Sequence, residues 1–296
     1  MRLIAYILAP LVLLVCLAVA ASYLGYVILV LFGDVLPLAK LVSKATLVLL
    51  LLSIFPLKKY LQLGWNDLGL AHRAAFFKQI GQGLLLGLLT LLPVLLALYL
   101  LDVHVWDASR NWAAGKLVGK IGVALFLAAL IAAGEELLFR GLLLNALRRR
   151  MSAVVAVLVS SLYYAALHFL KSQTQIAYRE ITPGSGLTLL GEAFANWLNP
   201  AIFSASLALF LVGVFLAVMR LRVPDSLGLC IGCHAGWVWQ IKVSKDLFNL
   251  NPEAEYLCLV SNYDGVIGPL VSVWLSSALM AYWVWVKIAK RPTVAT

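Results

Sequence analysis

Ala132-Ala133-Gly134-Glu135-Glu136-Leu137-Leu138-Phe139-Arg140 places three charged residues inside an otherwise apolar run. About fifteen mostly apolar residues precede Glu135 and about seven follow Arg140, which puts the charges at membrane depth. Each costs about 2.5 to 3.5 kcal/mol at the centre of a bilayer, so packing alone is a poor reason to keep three. Charges at that depth point to a functional site.

The rest of the chain agrees with a membrane setting. Of 296 residues, 63% are hydrophobic and 12% charged, and the mean hydropathy is +0.98. These values predict an all-α integral membrane protein and exclude a soluble domain with a tail. Apolar runs near 3–31, 36–57, 80–101, 119–146, 152–170, 201–219, 227–241 and 266–286 predict about eight transmembrane helices. Residues 1–296 read as one polytopic bundle with an intramembrane active site, because no linker or low-complexity tract divides them. Met1-Arg2, the apolar residues after it and Ala18-Val19-Ala20 resemble a cleavable leader. The apolar run continues to Phe32, which favours an uncleaved first span.

The formal net charge of +10 does not indicate nucleic acid, because the basic residues gather at the ends of apolar runs. With the N-terminus in the cytoplasm, the inner side holds Arg2, Lys58, Lys59, Arg73, Lys78, Arg148, Arg149, Arg150, Arg220, Arg222, Lys287, Lys290 and Arg291 against Asp67 and Asp225. Acidic and basic residues balance on the outer side. This asymmetry follows the positive-inside rule and predicts an inner (plasma) membrane protein with both termini cytoplasmic. Trp65, Trp106, Trp112, Tyr178 and Trp197 in the polar segments read as interfacial anchors. Gly83-xxx-Gly87, Gly115-xxx-Gly119 and Gly232-xxx-Gly236 offer small faces for close helix packing.

Glu136 and Arg140 are four apart on one helix and share a face, so they can pair. Glu135 points about 100° away and has no local partner, which frees it for proton transfer. The next span ends in Tyr163-Tyr164-Ala165-Ala166-Leu167-His168, with Tyr164 and His168 on one face. The seventh carries Gly232-Cys233-His234-Ala235-Gly236, a histidine between small residues that permit close approach. A lone histidine on an apolar face reads as a hydrogen-bonded core residue. Two of them together with Glu-Glu-xxx-Arg read as chemistry.

The ordered set Glu135-Glu136-xxx-Arg140, Tyr164-xxx-His168 and His234 resembles the CPBP family of CAAX prenyl endopeptidases and bacteriocin-processing membrane proteins. The resemblance covers roughly residues 119–241. It implies a glutamic intramembrane endopeptidase in which Glu135, with His168, activates a water against a peptide carbonyl. It further implies that His234 stabilises the oxyanion and that Glu136 and Arg140 form a supporting pair beside the base. Two departures stand out. The second motif has Tyr164 where the family usually has Phe, which adds a hydroxyl. The third motif, usually His-xxx-Asn, has Val238, so a second oxyanion donor is missing there; Trp237, Trp239 or another span is left to replace it.

Other readings use the same residues. Two histidines and two glutamates could instead hold zinc around a water, although there is no HExxH and Arg140 disfavours a cation nearby. The expected cofactor is therefore none. A transporter or immunity scaffold would use the buried charges as a relay or a lock. Cys230-xx-Cys233-His234 spells a haem-attachment motif, but inside an apolar span its thiols read as packing residues. The expected partners are the lipid bilayer and a membrane-anchored protein substrate. His168 lies three residues before Lys171 and His234 eight before Lys242, both on the outer side, so the site is expected to open outward. The substrate would then be an exported or membrane-anchored protein, the alternative being a prenylated CAAX-type C-terminus. Cleavage motif and oligomeric state are not readable from the chain.

Overall fold

The computed structural model describes residues 2–110 and 114–289. Met1, Trp112, Lys290 and Arg291 lie outside the described residues, as does the side chain of Arg2. Each expected apolar run coincides with a long helix. These are α1 (Arg2–Phe32), α2 (Leu38–Tyr60), α3 (Arg73–Leu100), α4 (Ala114–Glu136) continued through Leu137–Leu143 into α5 (Leu144–Arg148), α6 (Ala153–His168), a short α7 (Ser185–Ala195), α8 (Phe203–Arg222), α9 (Leu227–Leu247) and α10 (Pro269–Ala289). The protein is a multi-pass membrane protein. Among the described residues six helices are long and apolar enough to cross a bilayer; the α4–α5 run, Gly115–Arg148, counts as one of these. Helix α6 is apolar but shorter. Helix α9 falls below that apolarity because it carries His234, Gln240 and Lys242 among glycines. It is instead wrapped by other helices, burying Cys230, Cys233, His234 and Trp237.

Helices α3 and α9 meet backbone to backbone. A Cβ on Gly83 would collide with the carbonyl of Leu229, and one on Gly232 with the carbonyl of Ile80. Gly87 and Gly236 face each other in the same seam. Two of the three small-residue motifs are therefore partners of one another, as small residues permit in lipid. The third is different, because among the described residues nothing lies within 4 Å of a Cβ added at Gly115 or Gly119.

The loops sort themselves to two ends of the bundle. At one end a two-stranded antiparallel ribbon pairs β1 (His104–Trp106) with β2 (Phe248–Leu250), and Arg110 reaches Asp246. At the other, Leu70 bridges Ser226, Arg149 donates to the carbonyl of Leu61, and Arg220 to that of Asp67. The first group is the set expected outside and the second the set expected inside.

Two features depart from simple apolar spans. Helix α7 lies within the polar stretch 171–200. Its Gly186, Leu189, Leu190 and Ala193 recur at helical spacing and are buried, and Gly186 packs on Ser22 of α1. The expected span 119–146 also changes character in its middle. Residues Leu137–Leu143 widen into a π-helical turn, and Leu144 N–H reaches back five residues to the carbonyl of Phe139. Single π turns inside helices often mark functional sites, and this one begins directly after Glu136.

Candidate active site

Three helices deliver the polar residues to one point in the bundle. The end of α4 supplies Glu135 and Glu136, the π turn Arg140, the last turn of α6 Tyr164 and His168, and the middle of α9 His234. Arg140 and Glu136 are almost fully buried, at 1% and 0% exposure, with Nη1 3.1 Å from Oε1. Burying two charges is unfavourable unless every strong donor and acceptor has a partner, and the surroundings supply several. Arg140 Nη2 donates to the carbonyl of Gly213 on α8. Its guanidinium also lies 4.3 Å from the centre of the Tyr164 ring, a cation–π contact strengthened by the loss of water.

Glu136 Oε1 lies 2.8 Å from His234 Nδ1. The Glu136–Arg140 pair therefore stands behind His234, whereas the sequence reading set it beside the base. A carboxylate facing Nδ1 fixes the imidazole so that Nε2 points away, towards Glu135 Oε2 at 3.9 Å. His168 is oriented from its other nitrogen. Its Nδ1 is 2.7 Å from the backbone oxygen of Tyr164, and a carbonyl only accepts, so Nδ1 carries the hydrogen and a neutral His168 presents its lone pair at Nε2. That atom is 3.8 Å from the same Glu135 Oε2.

Glu135 is thus the convergence point. Its Oε2 is buried and, among the described residues, makes no hydrogen bond. Both imidazole separations are too long for a direct bond but suit a bridging water. Tyr164 is 2% exposed, and its hydroxyl lies 3.5 Å from His234 Nε2. All six residues singled out from the sequence, Glu135, Glu136, Arg140, Tyr164, His168 and His234, belong to this one cluster.

Neither tryptophan next to Val238 fills the place of a second donor. Trp237 Nε1 donates to Thr90 Oγ1 at 2.8 Å and Trp239 Nε1 to the carbonyl of Ile121 at 3.1 Å.

Two cavities adjoin the cluster and share Glu135, His168 and Lys171. One, of about 360 Å³, is framed by apolar residues of α1, α2, α6 and α7, among them Val42, Leu47, Leu50 and Leu189. The other, of about 420 Å³, holds His234, Tyr164 and Val238 and is lined towards its end by Lys242, Lys245 and Tyr263. Burial pushes the phenol of Tyr263 up to about 12, so it stays a hydrogen-bond donor at neutral pH. Lys171 lies 5.3 Å from its ring centre. Lys171 and Lys242 follow His168 and His234 along their own segments, whereas Tyr263 comes from a loop remote in sequence that no local spacing marks as a neighbour of Glu135.

Residues 117–240 match the family described as Type II CAAX prenyl endopeptidase Rce1-like. This central segment is similar to that family. It contains the whole cluster from Glu135 to His234 and bears out the resemblance to the CPBP family of CAAX proteases. That family supports an intramembrane protease, a hydrolase whose substrate is protein and whose surroundings are lipid. No curated protein and no solved structure matches the chain.

Proposed function

We propose that the protein is a glutamic-type intramembrane endopeptidase that cleaves membrane-anchored or exported proteins with a water held between Glu135 and His168. The observation that carries this reading is the position of Glu135 Oε2, 3.8 Å from His168 Nε2 and 3.9 Å from His234 Nε2. A water bridging Glu135 and His168 meets two acceptors, which align its lone pair for attack on a carbonyl carbon. Glu135 takes a proton from the water as the C–O bond forms. The tetrahedral intermediate collapses with rupture of the C–N bond, and the same proton passes to the leaving nitrogen. His234, held at Nδ1 by Glu136, faces the developing oxyanion through Nε2 when it carries both hydrogens. Low polarity around the cluster strengthens each of these interactions.

We read the reaction as metal-free. Arg140 already neutralises Glu136, and a divalent cation beside it would be repelled.

The chamber extends to Lys171, Lys242, Lys245 and Tyr263, at the end of the bundle expected outside. This supports a site opening to the outer face of the plasma membrane, with both termini cytoplasmic. Residues 1–296 then act as one unit around the 119–241 core. A second substrate class, a prenylated CAAX-type C-terminus, is favoured by the apolar cavity, which reaches Glu135 itself and suits a lipid chain.

Purified protein in lipid nanodiscs and a library of quenched membrane-anchored peptides test the reading. Cleavage should fall about 10²- to 10⁴-fold in Glu135→Gln and in His168→Ala, and persist with a zinc chelator. Chelator-sensitive cleavage would transfer the chemistry to a metal. Wild-type protein that cuts nothing but carries a Glu135-dependent proton flux would replace the protease with a relay.

A further inference from the structure

The usual third-motif donor is absent at Val238, and both neighbouring indoles are committed elsewhere. We infer that the hydroxyl of Tyr164 supplies the missing hydrogen bond to the oxyanion and is a catalytic residue of this chain. The inference rests on the endopeptidase reading above.

The placement is specific. Tyr164 lines the same chamber as Glu135, His168, His234 and Val238, and its hydroxyl is 3.5 Å from His234 Nε2. It is the last member of a chain that runs Arg140, Glu136, His234, Tyr164. With Glu136 facing His234 Nδ1 at 2.8 Å, a singly protonated His234 has its hydrogen on that side and none at Nε2. Nε2 is then an acceptor, and the tyrosine O–H points to it. A doubly protonated His234 has no acceptor at Nε2, so the phenol hydrogen is free for the substrate while the Nε2 hydrogen faces the same oxyanion. The doubly protonated state therefore offers the carbonyl oxygen two hydrogens, one from His234 Nε2 and one from Tyr164.

The ring is also held on several sides. Phe139 packs edge-on at 5.2 Å, His168 at 4.6 Å, and the Arg140 guanidinium sits over its face. A donor that is already fixed needs no reorganisation when charge develops, which is the condition for strong oxyanion stabilisation.

The step balances without any added reagent. Glu135 removes one proton from water, the water oxygen bonds to the carbonyl carbon, and the C=O electron pair moves onto oxygen. Tyr164 hydrogen-bonds that oxyanion and keeps its proton. Collapse restores the C=O, breaks C–N, and the proton on Glu135 goes to nitrogen.

Tyr164→Phe removes one oxygen and keeps the ring. In nanodiscs it should lower kcat by about 10²- to 10³-fold, with KM within about threefold of wild type. Position 238 is one turn beyond His234 and lines the chamber, so Val238→Asn added to Tyr164→Phe should recover at least about tenfold in kcat. Tyr163→Phe, which removes a neighbouring phenol that donates to the carbonyl of Ile7 and lies outside the chamber, should leave kcat near wild type.

Tyr164→Phe within about threefold of wild type overturns the inference. So does a loss that Val238→Asn leaves unrepaired, or one that falls on Tyr163→Phe instead. If Tyr164→Phe does not fold, 3,5-difluorotyrosine at position 164 must move the alkaline limb of the kcat profile to lower pH, and an unmoved limb overturns it. A wild type with no Glu135-dependent cleavage removes the endopeptidase reading itself, and this assignment with it.

Discussion

The α3–α9 seam and the wall formed by α1, α2 and α7 bound the same site and are packed in opposite ways. In the seam, Gly83, Gly87, Gly232 and Gly236 bring two backbones together with no side chain between them. His234 sits in the middle of that stretch, so its position is set by main chain. On the other wall the helices stand apart around a cavity of about 360 Å³ lined by Val42, Leu47 and Leu50. Glu135 and His168 are on its border. The difference separates two tasks. The side that must hold an imidazole to a fraction of an ångström is built without slack, and the side that must admit a substrate is left unfilled.

The comparison is most directly broken at the seam. Gly232→Leu places a side chain against the backbone of Ile80 and forces the helices apart, a loss of more than about 3 kcal/mol. Thermal unfolding in detergent should show little folded protein. Next comes the charged pair behind His234. Glu136→Ala leaves Arg140 buried without its partner and should cost about 3 to 5 kcal/mol; Arg140→Met in the same protein should recover part of it. A double-mutant cycle on melting curves measures that coupling.

The open wall should respond in another currency. Ser43 lines the cavity but is exposed on α2, so Ser43→Phe fills space without disturbing the core. It should change stability by less than about 0.5 kcal/mol and raise KM about tenfold, equivalent to about 1.4 kcal/mol, with kcat retained. A fall in stability as large as that of Gly232→Leu would show that this wall is structural too. The smallest effect is expected at the glycine motif that meets nothing. Gly115→Leu should leave the melting temperature and cleavage unchanged, within about 0.5 kcal/mol.

Much of this arrangement was legible in the chain because it depends on local spacing. Hydropathy located the eight long helices, and a separation of four placed Glu136 on Arg140 and Tyr164 on the face of His168. The two glycine motifs of the seam were visible as motifs. Their pairing was not, nor was the isolation of Gly115 and Gly119, because tertiary packing decides which small face finds another. The same holds for Glu136, whose second partner, His234, is 98 residues away. Helix α7 had a usable signal in Gly186, Leu189, Leu190 and Ala193, hidden inside a segment read as polar. The ribbon joining His104–Trp106 to Phe248–Leu250 had none, since three-residue strands carry too little pattern.

The π turn after Glu136 has a consequence for how this protein tolerates change. A widened turn accommodates one residue more than an α-helix would, so the two halves of the run from Gly115 to Arg148 are out of phase. A saturation scan should therefore show sensitive positions recurring at about 3.6-residue intervals up to Glu136. Beyond Leu143 the same rhythm should resume, displaced by about a quarter-turn. Deleting one of Leu137, Leu138 or Phe139 would bring the halves back into step and turn Arg140 by about 100° relative to Glu136. For this helix, the reading frame of the membrane-facing stripe is itself an inherited trait, and a single-codon deletion is the mutation it can least absorb.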